Sequence, residues 1–153
     1  MVIEVARNIA GIKDANSAEF DEKTTNPVIS TMSDQIDIVA GHGQMGATMR
    51  LGSCESILFA GTKAADLYGN VDRIKERHRH RYEVNSDYQD RLQEGGLVIS
   101  SVSANEGLVE IVELPDHPFY IGAQFHPEFL SKPNHPHPLF SGFVAAALKK
   151  ATD

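Results

Sequence analysis

Ten consecutive residues near the middle of the chain, Glu76-Arg77-His78-Arg79-His80-Arg81-Tyr82-Glu83-Val84-Asn85, constrain its fold more than any other stretch. From Ile74 to Val84 the run alternates with a period of two, the period of a β-strand. On a strand, Arg77, Arg79 and Arg81 share one face while His78, His80 and Tyr82 share the other. A ridge of three guanidinium groups suits bidentate recognition of carboxylate or phosphate. The alternative is a basic strand face neutralised by Glu76, Glu83 and nearby acids.

The other elements follow from local pattern. Val2, Val5, Ala6 and Ile9 line one side of a helix that Gly11 is placed to stop. Asp14 to Asn26 is polar and reads as a loop with a short turn, and Pro27-Val28-Ile29 begins a strand. Ser33 to Gly46 is a loop, and Ala47 to Gly52 alternates as a strand. Thr62 to Tyr68 is a helix with Thr62 as its N-cap and Gly69 as its stop. Tyr88 to Gln93 is a short helix ended by Gly95-Gly96. Leu97–Val102 and Leu108–Leu114, joined by the turn Ala104-Asn105-Glu106-Gly107, suit an antiparallel hairpin. Phe119 to Phe125 is almost continuously apolar, as a buried central strand would be. A proline-rich loop leads to an amphipathic helix from Phe140 to Lys150. Strands interleaved with helices predict an α/β or mixed α+β fold. With 153 residues and no linker, it is read as a single domain.

Composition removes several function classes. No apolar run approaches the roughly 18 residues of a spanning helix, and the first residues do not form a signal peptide. The single cysteine, Cys54, rules out an internal disulfide framework and fits a reducing, cytoplasmic setting. A net charge of −7 gives no electrostatic reason to expect nucleic acid.

Gln124-Phe125-His126-Pro127-Glu128-Phe129 is the sharpest chemical signal. In extended backbone His126 and Glu128 point to one side, and Pro127 biases His126 toward that geometry. A carboxylate on one ring nitrogen sets the tautomer and frees the other as a general base. That is the base-and-orienter half of a nucleophilic triad. By spacing alone, a strand-end histidine beside a surface glutamate is the commoner arrangement. Metal binding by His78-x-His80 or His135-x-His137 has little support, since no cysteine accompanies either pair.

The run at 76–85, Gln-Phe-His-Pro-Glu-Phe at 124–129 and Ala-Asn-Ser-Ala-Glu-Phe at 15–20 resemble the glutamine amidotransferase domain of CTP synthases. Thr48-Met49-Arg50-Leu51-Gly52 and Pro138-Leu139-Phe140-Ser141-Gly142-Phe143 agree with it, in order along the chain. Ala18 and Ala47 depart from it, standing where threonine and glycine are commoner. The resemblance implies a class I glutamine amidotransferase-like α/β sheet flanked by helices. It also implies an enzyme that aminates UTP to CTP with ATP and ammonia from L-glutamine. His126 would be the base, Glu128 its orienter, Glu19 the receptor of the α-ammonium group, and Arg81 a contact to the amino-acid moiety. No metal or other cofactor is implied for this chain. ATP and Mg, a synthetase domain and oligomeric assembly belong to the full-length enzyme.

The family's nucleophile lies in a Gly-x-Cys-Leu-Gly elbow ahead of the helix that Val2–Gly11 resembles, so the domain is expected to be incomplete at its N-terminus. Cys54 lacks the elbow glycines, and Glu55 beside it would raise its pKa. The chain alone is therefore expected not to hydrolyse glutamine. It is also expected to leave Val2, Val5 and Ile9 uncovered and to be marginally stable or self-associating. A non-catalytic glutamine-binding or interaction module is the second reading. A free-standing hydrolase using Cys54 is a distant third.

Overall fold

The computed structural model describes residues 1–31 and 49–152. The loop expected over Ser33–Gly46, and Ala47 with Thr48, lie outside the described residues. The chain divides into two compact units, 1–51 with 79–97 and 52–78 with 98–153. Helices are interleaved among the strands along it, in keeping with the α/β reading.

In the first unit, helix α1 (Val2–Asn8) is closed by Gly11, whose φ of +63° lets the Ile12 N–H reach back to the Ala6 carbonyl at 2.8 Å. That is the left-handed ending glycine favours. Of the three residues expected to be bare, Val5 is buried, Val2 is half-buried and Ile9 is 54% exposed. Strand β1 (Ala15–Ser17) pairs in parallel with β2 (Asn26–Thr31), which pairs antiparallel with β5 (Tyr82–Val84). Helix α3 (Gln89–Glu94) packs on α1 and ends at Gly95-Gly96. β1 falls inside the stretch read as a loop. Its polar residues carry no strand signature, and its parallel partner is not local.

In the second unit the strands run β4-β3-β6-β7-β8. Here β3 is Arg50–Leu58, β4 Arg73–His80, β6 Val98–Ser103, β7 Val109–Glu113 and β8 Ile121–Ala123. β6 and β7 form the expected hairpin. β7 is buried at every position. The apolar run from Phe119 is therefore not the central strand. Only three of its residues are strand, they are half-buried, and they pair with β7 on one side. Its hydrophobicity reflects contact with helix α4 (Pro138–Thr152), where the Phe119 and Phe143 rings lie 5.7 Å apart. Leu58, Ala64, Ala65, Ile74, Ile111, Phe125 and Leu139 form the core.

Helix α2 (Lys63–Leu67) begins as its sequence predicts, with Thr62 Oγ1 accepting the Ala65 N–H at 3.1 Å. The buried Glu113 carboxylate completes the cap. Its two oxygens accept the Lys63 and Ala64 N–H groups at 2.8 and 3.0 Å. Glu113→Gln keeps the volume but replaces one acceptor with an NH2 facing a donor. Urea unfolding is expected to show a loss of about 1–3 kcal/mol.

Candidate functional site

The alternating basic strand divides at Arg81. β4 ends at His80, β5 begins at Tyr82 in the other sheet, and Arg81 stands half-buried in the break. The expected ridge of three is thus two exposed residues, Arg77 and Arg79, with Arg81 set apart. Nor do both acids neutralise it. Glu76 turns inward to Tyr68 and His137, while Glu83 meets His80 at 3.1 Å and Arg50 at 3.8 Å. His78 is buried against Glu110, Nε2 to Oε2 3.5 Å.

His126 and Glu128 meet as expected, by a different route. His126 has φ −106° and ψ 89°, and the chain then winds into a 3-10 turn over Pro127–Phe129. The turn, rather than an extended strand, brings the carboxylate back. His126 Nδ1 lies 2.7 Å from Glu128 Oε1. The ring N–H donates to the carboxylate, which leaves Nε2 as the acceptor. The hydrogen bond from His126, helped by the residue's own backbone N–H, lowers the Glu128 pKa. Phe129 flanks the ring at 5.3 Å. The imidazole and carboxylate are 39% and 55% exposed, so a substrate can reach them.

The sign of the pH effect follows. A carboxylate with a depressed folded-state pKa holds its bond above the ordinary value and loses it only as pH falls through the depressed one. The His126–Glu128 contact is therefore expected to survive acidification past pH 4.5, the ordinary carboxylate value. Following the Glu128 carboxyl carbon by NMR during an acid titration checks this; a midpoint at or above 4.5 contradicts it.

Glu19 and Arg81 lie in the first unit. Glu19 sits in the turn after β1, its N–H donating to Ser17 Oγ at 3.2 Å, with its side chain exposed. Both act on the half-buried Tyr82. Burial raises the Tyr82 pKa, the charges of Glu19 and Glu22 raise it further, and Arg81 opposes them.

Cys54 lies within β3 rather than on a strand-to-helix turn, and is half-buried. Neighbouring Glu55 is bound to Arg73 at 2.7 Å. Among the described residues, no helix is long and apolar enough to cross a membrane.

Residues 4–146 match the family model of glutamine amidotransferase class-I. The chain is 56% identical over 151 residues to the CTP synthase of Thermobifida fusca (strain YX), covering 97% of this chain and 27% of that protein. It is 59% identical over 150 residues to the CTP synthase of Bifidobacterium longum (strain NCC 2705), with the same coverage. It thus spans about a quarter of the length of these relatives. The solved glutaminase domain of Trypanosoma brucei CTPS, with bound acivicin, superposes with a TM-score of 0.86 at 40% identity. That match covers 97% of this chain and 56% of the solved one.

Proposed function

The chain belongs to the glutamine amidotransferase class-I family, and on that premise we propose that it is the later part of the glutamine-hydrolysing domain of a CTP synthase. The contact between His126 Nδ1 and Glu128 Oε1 carries the reading, because it leaves Nε2 accessible with its lone pair free. A thiolate attacks the side-chain amide carbon of L-glutamine. Nε2 of His126 takes the thiol proton and passes it to the departing ammonia, while Glu128 holds the ring's tautomer and balances its charge. Water, deprotonated by the same nitrogen, then cleaves the thioester to give glutamate and regenerate the thiol. Glu19 receives the α-ammonium group, and Arg81 holds the amino-acid moiety at its carboxylate end.

Cys54 is not the attacking group. It lies inside β3, four residues before the strand ends, rather than on the tight strand-to-helix turn that presents an elbow nucleophile. The thiol comes from a segment outside these 153 residues, and the chain alone is inactive toward glutamine. The ammonia serves the amination of UTP to CTP, with ATP and Mg, in a synthetase domain of an oligomeric cytoplasmic enzyme. This part needs no cofactor of its own.

A chimera tests the reading. The matched 151 residues of the Thermobifida fusca protein are replaced by this chain. Glutamine-dependent CTP formation is expected from the chimera, and no glutamine hydrolysis from the isolated chain. A chimera that makes CTP from added ammonia but not from glutamine would sink the proposal. So would glutaminase activity of the isolated chain that Cys54→Ser abolishes.

A further inference from the structure

The two ends of the five-strand order meet at one residue. β8 is in register with β7 only to Ala123, and Gln124 extends the pairing by one hydrogen bond to Glu110. The chain then reaches the opposite end of the order, where the His126 N–H donates to the Arg77 carbonyl of β4 at 2.8 Å. A three-residue, half-buried strand supplies little rigidity for a group whose placement decides its chemistry. Something else must hold that seam.

A buried polar cluster stands directly behind it. Glu76, the residue before Arg77, is 3% exposed and accepts the Tyr68 hydroxyl at 2.7 Å and His137 Nε2 at 2.9 Å. Tyr68 Oη and His137 Nε2 also lie 3.2 Å apart. The ring orientation of His137 is fixed, because its Nδ1 accepts the Leu139 N–H at 3.2 Å. Nε2 therefore carries the ring proton and aims it at Glu76. The cluster touches the other strand too. Phe125, the residue before His126, is 3% exposed, with its ring 6.2 Å from His137 and 5.9 Å from His78. Both partners of the seam's hydrogen bond are thus one residue away from groups held by the cluster.

Stability alone gives no reason for such a cluster. A buried carboxylate is costly, and apolar residues of similar volume often serve as well or better. Glu76 Oε2 has no hydrogen-bond partner among the described residues, which adds to the cost. A directional hydrogen-bond network supplies what apolar packing lacks, a single fixed geometry.

We propose that Tyr68, Glu76 and His137 are positioning residues that pin β4 and Phe125 so that His126 is held at the end of β8. They touch neither glutamine nor the reacting atoms. The proposal rests on the reading of His126 as the base, but its test does not measure catalysis.

Amide hydrogen exchange and 15N-histidine NMR on the 153-residue chain provide the test. In Glu76→Leu, the His126 amide is expected to exchange at least tenfold faster while the β6–β7 amides keep their protection. The His126 ring is expected to pass from one tautomer to a mixture. Glu76→Gln, whose amide oxygen still accepts both bonds, is expected to restore both signals to within threefold of the parent. Three results would overturn the proposal: an unchanged His126 in Glu76→Leu, equal acceleration of all amides, or no rescue by Glu76→Gln. Failure of the base assignment would appear elsewhere, as glutamine-dependent CTP formation surviving His126→Ala in the chimera.

Discussion

His126→Ala in the Thermobifida chimera is expected to lower glutamine-dependent CTP formation by about 10²–10⁴-fold, the usual worth of a positioned general acid–base. Ammonia-dependent formation is expected to stay unchanged, since the imidazole acts only in releasing ammonia from glutamine. The size follows from its double duty: the same Nε2 activates the thiol and then the water, so both half-reactions lose their proton carrier. Glu128→Gln should cost less. Its carboxylate is 55% exposed, and water can solvate the ring N–H in its place. Equal losses with glutamine and ammonia would mean that His126 supports the fold rather than the chemistry. An unaltered glutamine-dependent rate would remove it from the mechanism.

Phe125→Ala is expected to destabilise the chain by about 3–5 kcal/mol, read as the shift in urea midpoint at constant m-value. The ring is buried in the core with Leu58, Ile74, Ile111 and Leu139, and its edges meet His78 and His137. Removing it leaves a cavity beside these two buried histidines. Against a typical stability of about 5–15 kcal/mol the loss is large. Phe125→Leu, which refills most of the volume, should recover more than half of it. A loss below 1 kcal/mol for the alanine variant would mean that the ring is not structurally required.

The parts legible in the sequence were those written in local pattern. Thr62 caps α2, Gly11 ends α1, and β6–β7 turns where Ala104–Gly107 placed the turn. The resemblance identified the family from motifs spread along the chain, and the family match covers residues 4–146. What stayed hidden was non-local. β1 exists because β2 lies beside it in parallel, and nothing in Ala15-Asn16-Ser17 announces that partner. The apolar run at 119–125 signalled burial without saying whether strands or a helix would cover it. Glu76 read as a counter-charge to its arginine neighbours, yet its partner His137 lies 61 residues along the chain. The meeting of His126 with Glu128 was foreseen from spacing, although a 3-10 turn accomplishes it.

Each compact unit is assembled from two separate stretches of chain, with crossings after Leu51, His78 and Leu97. No single cut can therefore release either one as a continuous peptide. A protease nick at 97/98 would separate 98–153 from 52–78, and a truncation after His78 would take part of both units at once. Each unit is thus discontinuous in sequence, and any contiguous fragment that holds one unit whole carries part of the other. Dissecting the molecule calls for circular permutation or point substitution rather than deletion.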